Sequence, residues 1–268
     1  MQNAVSAILS ASSGPVAIFT DFDGTLVEIA SHPDAVVVPE DLPIRLRTLY
    51  AALDGALAVV TGRSIAAIDG FLPSQAFSLT GSHGAEYRHN GEQQAPESHL
   101  VDDARTIADR VSDSLHGENG VLVEPKPTGV AVHYRAAPEK GAIASAALAR
   151  ALDGFPDFHA INGKKVVEAR PKSANKGVAL SRLMQVNPFV GRMPIFIGDD
   201  VTDEDGFAAA ERLGGFGIRI GEESETLARF SLPDIATLYS YFDALIEREP
   251  NNTASNFADQ GIQESRIR

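Results

Sequence analysis

Cysteine is absent from the 268-residue chain. Disulfides, thiolate nucleophiles and cysteine metal centres are therefore excluded. Basic residues are scarce: 23 Lys and Arg stand against 36 Asp and Glu, a formal net charge of −13. That balance argues against nucleic acid or an anionic membrane surface as a partner. No apolar run approaches the roughly 18 residues of a membrane-spanning helix. The first Lys or Arg is Arg45, so the beginning of the chain lacks the basic start of a signal or transit peptide. The expectation is a soluble, cytoplasmic protein with neither membrane nor nucleic-acid partners. No repeat or low-complexity tract stands out, and a 44% hydrophobic content suffices for a sizeable core.

What is present alternates. Apolar runs of strand length at 16–20, 56–61 and 77–80 are separated by helix-like stretches, with Leu42, Leu46, Leu49 and Leu53 at helical spacing. The pattern returns later, with helices at 176–184, 203–213 and 235–246 and strands at 193–198 and 216–220. This is the pattern of an α/β fold: a doubly wound, mostly parallel sheet covered on both faces. The middle differs. An Asn90-Gly91 turn and pairs of strands facing each other across "PKPTG" and "NGKK" read as hairpins. Two helices, 104–115 and 139–152, lie among them. The expected organisation is a discontinuous core, 1–83 and 174–249, with an α+β insert at 84–173 and a polar tail at 250–268.

The chemistry gathers where expected strands end and helices begin. "VAIFTDFDGTLVEI" drives an apolar run into Asp21 and Asp23, which point the same way on an extended segment. Two like charges at the edge of a core are costly unless a cation or a proton lies between them. "GDDVTDED" brings Asp199, Asp200 and Asp203 to a later strand end, and ligands of open parallel sheets bind beyond such ends. An all-oxygen carboxylate set suits Mg²⁺. Thr61 offers a hydroxyl, Gly62 allows close backbone approach, and Lys176 supplies a point charge for a phosphate. Each motif alone is compatible with a turn or a helix cap. As an ordered set they describe phosphoryl transfer.

That order, Asp-x-Asp-Gly-Thr, then Thr, Lys and Gly-Asp-Asp, resembles the haloacid dehalogenase superfamily of phosphohydrolases. The resemblance implies a Rossmann-like core with an inserted cap. It makes Asp21 the nucleophile and Asp23 the general acid/base, which also gives the metal its main-chain carbonyl. Thr61 and Lys176 then hold the phosphoryl group, and Asp199 binds Mg²⁺ with Asp200 or Asp203 in support. Phe22, Gly62 and Arg63 fall among the substrate-binding positions, with structural ion pairing the first reading of Arg63.

Longer stretches narrow the resemblance. "DFDGTLVEIASHPDAVVVP", "GSHGAE", "VAVHYR", "KKVVEARP" and "IGDDVTDEDGF" are similar to the trehalose-6-phosphate phosphatases over nearly the whole chain. The resemblance implies hydrolysis of trehalose 6-phosphate, in trehalose biosynthesis, beneath a cap that closes through hinges near 81–84 and 171–174. Glu124, Lys126 and Glu168 would meet the sugar. From Lys126 to Lys176 nine Lys or Arg stand against four Asp or Glu, so this stretch is locally basic within an acidic chain. Lys164-Lys165 also fits a plain exposed hairpin tip. His83 reads first as structural and second as lining the site. Two alternatives stay open: a related phosphatase for another sugar phosphate, such as sucrose 6-phosphate or mannosyl-phosphoglycerate, and a non-catalytic sugar-phosphate-binding subunit. A functional link to a trehalose-phosphate synthase is a further expectation.

Overall fold

The computed structural model describes residues 2–12, 14–30, 32, 35–73, 76–221 and 225–248. In chain order the elements are α1 (Gln2–Ala11), β1 (Val16–Thr20), α2 (Leu42–Ala52), β2 (Leu57–Val60), α3 (Ile65–Phe71) and β3 (Ser78–Gly81). Then follow β4 (Glu86–His89), β5 (Glu92–Gln94), α4 (Ser98–Ser114), β6 (Leu122–Lys126), β7 (Gly129–His133), α5 (Gly141–Ala151), β8 (Phe158–Gly163) and β9 (Val166–Pro171). The last part holds α6 (Lys176–Leu183), β10 (Met193–Gly198), α7 (Glu204–Arg212), β11 (Phe216–Ile220), β12 (Phe230–Leu232) and α8 (Ile235–Arg248). The expected tail at 250–268 lies outside the described residues. Among the described residues no helix is long and apolar enough to cross a membrane. The chain divides into two compact units.

The first unit, Met1–Val59 with Leu72–Phe77 and Leu180–Arg268, is built on parallel strands in the order β12-β11-β10-β1-β2. Every residue of β1 and β2 is buried, as both-face coverage requires. Ile18 pairs with Ile195 on one side and Leu57 on the other. From β1 the chain steps outward to β2, whereas from β10 it steps the other way to β11. The topological switch therefore falls between β1 and β10, where such sheets bind ligands. Leu42, Leu46 and Leu49 are the buried stripe of α2, which packs with α8; α7 lies on β10 and β11. Gly206 makes that last contact possible, since a Cβ there would come within 2.7 Å of the Phe196 ring.

The second unit, Val60–Phe71 with Ser78–Ala179, carries the antiparallel β3-β4-β5 meander and a four-stranded antiparallel sheet, β6-β7-β9-β8. The four-stranded sheet is two-faced. Val130, Val132, Val167 and Ala169 pack on Ala104, Ile107 and Val111 of α4 and Ala144, Ala147 and Leu148 of α5. The alternate positions Glu124, Lys126, Ala131, His133 and Glu168 share the other face. Pro125 is tolerated because β6 is an edge strand. The β8–β9 strands extend further than "NGKK" suggested: Gly163 pairs with Val166, and the turn is Lys164-Lys165 alone, with Lys165 at φ +60°. The unit is wider than the expected insert because backbone bonds tie the loops after β2 and β3: Thr61 N–H to the Thr80 carbonyl, Ser82 N–H to that of Arg63, and His83 N–H to that of Thr61, at 2.8–2.9 Å.

Candidate active site

In the first unit, β1 ends in a tight turn that fixes the first motif. The Asp21 N–H donates to the Ile197 carbonyl at 2.8 Å, the last tie to β10. Phe22 is fully buried, its N–H donates to Asp21 Oδ1 at 2.7 Å, and its carbonyl accepts from Leu26 and Val27. The turn thereby locks the rotation of the Asp21 carboxylate, which is 6% exposed. Gly24, at φ +75°, completes it.

The later motif folds toward the same carboxylate. Asp21, Asp199 and Asp203 offer carboxylate oxygens that all lie within 4.8 Å of one another. Asp203 is fully buried, and its Oδ2 accepts the N–H groups of both Asp199 and Asp200 at 3.0 Å. Thr25 Oγ1 donates to Asp199 Oδ1 at 3.1 Å. Asp200 is exposed, and its side chain caps the following 3₁₀ turn by accepting the Val201 N–H. The carboxylate beside Asp21 and Asp199 is thus that of Asp203, not Asp200. The side chain of Asp23 lies outside the trio and is half-buried. Three oxygen-only donors, two of them buried, fit a hard divalent cation and offer nothing to a soft one.

In the second unit a polar cluster lines the face of the four-stranded sheet away from its helices. Lys126 Nζ donates to Glu168 Oε1 at 2.7 Å and reaches the Gly62 carbonyl at 3.4 Å. The other oxygen, Glu168 Oε2, lies 3.1 Å from His83 Nε2. Glu124 Oε2 lies 2.6 Å from His133 Nε2. Burial pushes the Glu168 carboxyl up, but Lys126 and the His83 hydrogen bond outweigh it and hold Glu168 well below the usual carboxylate range. Burial likewise opposes the Lys126 charge, yet Glu168 and Glu124 raise its pKa. The His133 bond lowers Glu124. Thr61 is buried, and its hydroxyl accepts the Arg63 N–H at 3.2 Å. Arg63 stacks over the Phe71 ring at 5.0 Å. Lys176, at the start of α6, is 1% exposed and acts electrostatically on His83. Lys164 and Lys165 are exposed at their turn, as the plain hairpin reading has it.

The expected residues therefore group in two sets: Asp21, Phe22, Asp23, Asp199 and Asp203 in the first unit, and Thr61, Gly62, Arg63, Glu124, Lys126, Glu168 and Lys176 in the second. Sequence reasoning undervalued His83 and passed over Glu86. Glu86, 5% exposed, accepts the Ser82 hydroxyl at 2.5 Å and the Ile65 N–H at 3.2 Å. The signal was there in "GSHGAE", where Ser82 and His83 come straight after a buried strand and before a glycine, with Glu86 two residues beyond it.

The chain is similar in sequence and fold to known proteins. The trehalose-phosphatase family model matches residues 19–236. The trehalose-6-phosphate phosphatase of Escherichia coli is 38% identical over 91% of this chain and 93% of its own. A probable trehalose-phosphate phosphatase of Sinorhizobium fredii is 42% identical over 85% and 87%. Among solved structures, a trehalose-6-phosphate phosphatase related protein superposes with a TM-score of 0.73 at 25% identity, covering 87% of this chain and 97% of that one. The C-terminal domain of the Candida albicans trehalose-6-phosphate phosphatase reaches 0.76 at 21% identity, over 91% and 96% of the two chains; at that identity the likeness is one of fold.

Proposed function

The chain belongs to the trehalose-phosphatase family, and from that premise we propose that it hydrolyses trehalose 6-phosphate to trehalose and inorganic phosphate. The observation that carries the reading is the trio of Asp21, Asp199 and Asp203 at the switch point of the parallel sheet. An acidic trio of that kind, with the Asp21 carboxylate held by the Phe22 N–H, suits a hard divalent cation and a nucleophile for phosphorus chemistry.

In the proposed reaction an oxygen of Asp21 attacks the phosphorus and the bond from phosphorus to the sugar oxygen breaks. Asp23 gives its proton to that leaving oxygen. Water, losing a proton to Asp23, then attacks the phosphorus of the aspartyl-phosphate, which releases phosphate and restores Asp21. Acid–base help from a positioned carboxyl contributes about 10²–10⁴-fold. Asp21, Asp199 and Asp203, with the Asp23 carbonyl, would hold Mg²⁺, which when bound supplies the positive charge that lets an anionic nucleophile meet an anionic ester. Thr61 and Lys176 hold the phosphoryl oxygens, with the Gly62 and Arg63 backbone beside them. Glu124, Lys126 and Glu168 meet the sugar hydroxyls, which both donate and accept hydrogen bonds. The sheet with α4 and α5, residues 84–173, is the proposed cap, and its basic stretch focuses the anionic substrate.

A phosphate-release screen with and without Mg²⁺ tests the reading. Trehalose 6-phosphate should be preferred over glucose 6-phosphate, sucrose 6-phosphate and mannosyl-phosphoglycerate, and chelation should abolish turnover. Rapid quenching should trap a labile acyl-phosphate at position 21, and Asp21→Asn should neither form it nor turn over. Equal rates on all four esters would remove the substrate assignment, and the lack of any acyl-phosphate would remove the mechanism.

A further inference from the structure

Three consecutive residues after β3, Ser82, His83 and Gly84, have φ of +48°, +57° and +110°. Left-handed backbone is costly for a residue with a Cβ, and such strain persists only where surroundings enforce it. Here they do. Glu86 takes the Ser82 hydroxyl and the Ile65 N–H, while the backbone N–H groups of Ser82 and His83 are spent on the carbonyls of Arg63 and Thr61. Gly84 allows the turn to close, since a Cβ there would meet the Asn175 carbonyl at 3.0 Å.

The strained turn delivers one side chain. The His83 imidazole lies against Gly62 so closely that a Cβ on residue 62 would come within 2.6 Å of its Cε1 and Nε2. Its Nε2 faces Glu168 Oε2 at 3.1 Å. Facing a carboxylate, Nε2 carries the hydrogen, and among the described residues the buried Nδ1 has no hydrogen-bond partner. A charged ring would bury a second, unsatisfied N–H there, so the geometry favours the neutral tautomer. Lys126 and Lys176 act on the ring in the same direction.

We propose that His83 is a positioning residue for the sugar end of the site: seated on Gly62 by the strained Ser82–Gly84 turn, its Nε2–H fixes the Glu168 carboxylate relative to the loop at Thr61 and Gly62. The inference rests on the reading of Glu168 as a sugar contact and of Thr61 as a phosphoryl contact. It explains why a residue with a Cβ occupies a left-handed position at which glycine would be unstrained: the imidazole is needed. It also gives "GSHGAE" a division of labour, in which Ser82 and Glu86 hold the turn, Gly84 closes it and His83 does the aiming.

Kinetics on two esters test the proposal. His83→Asn keeps a side chain that tolerates left-handed backbone but is too short to reach Glu168. Its KM for trehalose 6-phosphate should rise about ten- to a hundredfold, the size of one hydrogen bond to a charged group. Its kcat, and its turnover of p-nitrophenyl phosphate, which has no sugar, should stay within about twofold, and His83→Gln should recover most of the lost KM. Equal losses on both esters, or a wild-type KM in His83→Asn, would overturn the proposal. Should His83→Asn fail to fold, Gly62→Ala displaces the ring from the other side: a KM rise larger for trehalose 6-phosphate than for p-nitrophenyl phosphate supports positioning, and an unselective change or none overturns it. The imidazole ¹⁵N shifts of the wild type at pH 7 report on His83 without any substrate. A neutral Nε2–H ring supports the inference, whereas an Nδ1–H or charged ring overturns it. A wild type with normal shifts but no preference for trehalose 6-phosphate would instead strike the substrate reading.

Discussion

Gly24 and Asp199 occupy adjoining space: a Cβ at position 24 would overlap the Asp199 carboxylate. Position 24 is also left-handed, at φ +75°, so any side chain there meets strain in the backbone and a collision at the acidic trio together. Gly24→Ala should lower stability by about 1–3 kcal/mol. It should also weaken Mg²⁺ more than about tenfold, because Asp199 must move. Urea unfolding and a Mg²⁺ titration of phosphate release check the two halves. A variant with wild-type Mg²⁺ dependence would show that Asp199 does not serve the metal from its present place.

Asp203 differs from Asp200 in what replacing it would break. The buried Asp203 carboxylate gathers two backbone N–H groups on a single oxygen, whereas Asp200 is an exposed cap. Asp203→Asn would weaken those charge-assisted bonds and set an amide among carboxylates. A stability loss of about 1–3 kcal/mol is expected, with a Mg²⁺ requirement raised at least about tenfold. Asp200→Asn keeps a capping oxygen and should change the Mg²⁺ requirement less than about threefold. Calorimetric Mg²⁺ titration of both variants decides, and equal effects would refute the distinction.

Much of this was legible in the sequence, for reasons that can be named. The run of residues 16–20 into Asp21 reads as a buried parallel strand because both faces are apolar, and it is β1 without shift. The hairpin strands around Glu124 and Glu168 show through their alternation. What escaped was carried by short or local signals. The seven-residue α3 is too brief for a helical stripe, and β12 is three residues long. His83 escaped because a left-handed non-glycine residue has no signature in periodicity; its role comes from Gly62, 21 positions earlier, and Glu168, 85 later. The choice between Asp200 and Asp203 likewise turned on which carboxylate the 3₁₀ turn swings inward.

Lys126 and Glu168 form a half-buried pair, and removing either partner alone leaves a charge without its counter-charge. Lys126→Met strips Glu168 of its shortest partner and should destabilise the protein by about 1–3 kcal/mol. The double variant Lys126→Met with Glu168→Gln should lose less than the two single variants summed, because no uncompensated charge remains. Urea unfolding of the four proteins at pH 7 gives the coupling. Strict additivity would mean that the 2.7 Å contact carries no pairing energy.

The last expectation concerns pH. Burial pushes the His83 pKa down to about 4 from the ordinary 6.5, with Lys126 and Lys176 adding to the effect and Glu168 opposing it. As pH falls, the unfolded chain binds this proton first, so the contribution of His83 is complete above 6.5 and is lost between 6.5 and about 4. Each pH unit in that window removes up to about 1.4 kcal/mol, and the whole interval about 3 kcal/mol. Glu168, held well below its ordinary 4.5, adds a loss of the same sign that begins below pH 4.5. Lys126, being raised, contributes to stability until the pH rises past 10.5 and takes no part here. Urea midpoints from pH 7 to 4.5 should therefore fall in the wild type. In His83→Asn the slope over that range should be shallower by up to about 1.4 kcal/mol per unit. The half-exposed His133, which pairs with Glu124, remains in both proteins and cancels from the comparison. Superimposable pH profiles would mean that the His83 ring takes up its proton as readily in the folded protein as in the unfolded chain, which is incompatible with a ring kept neutral by burial between Gly62 and Glu168.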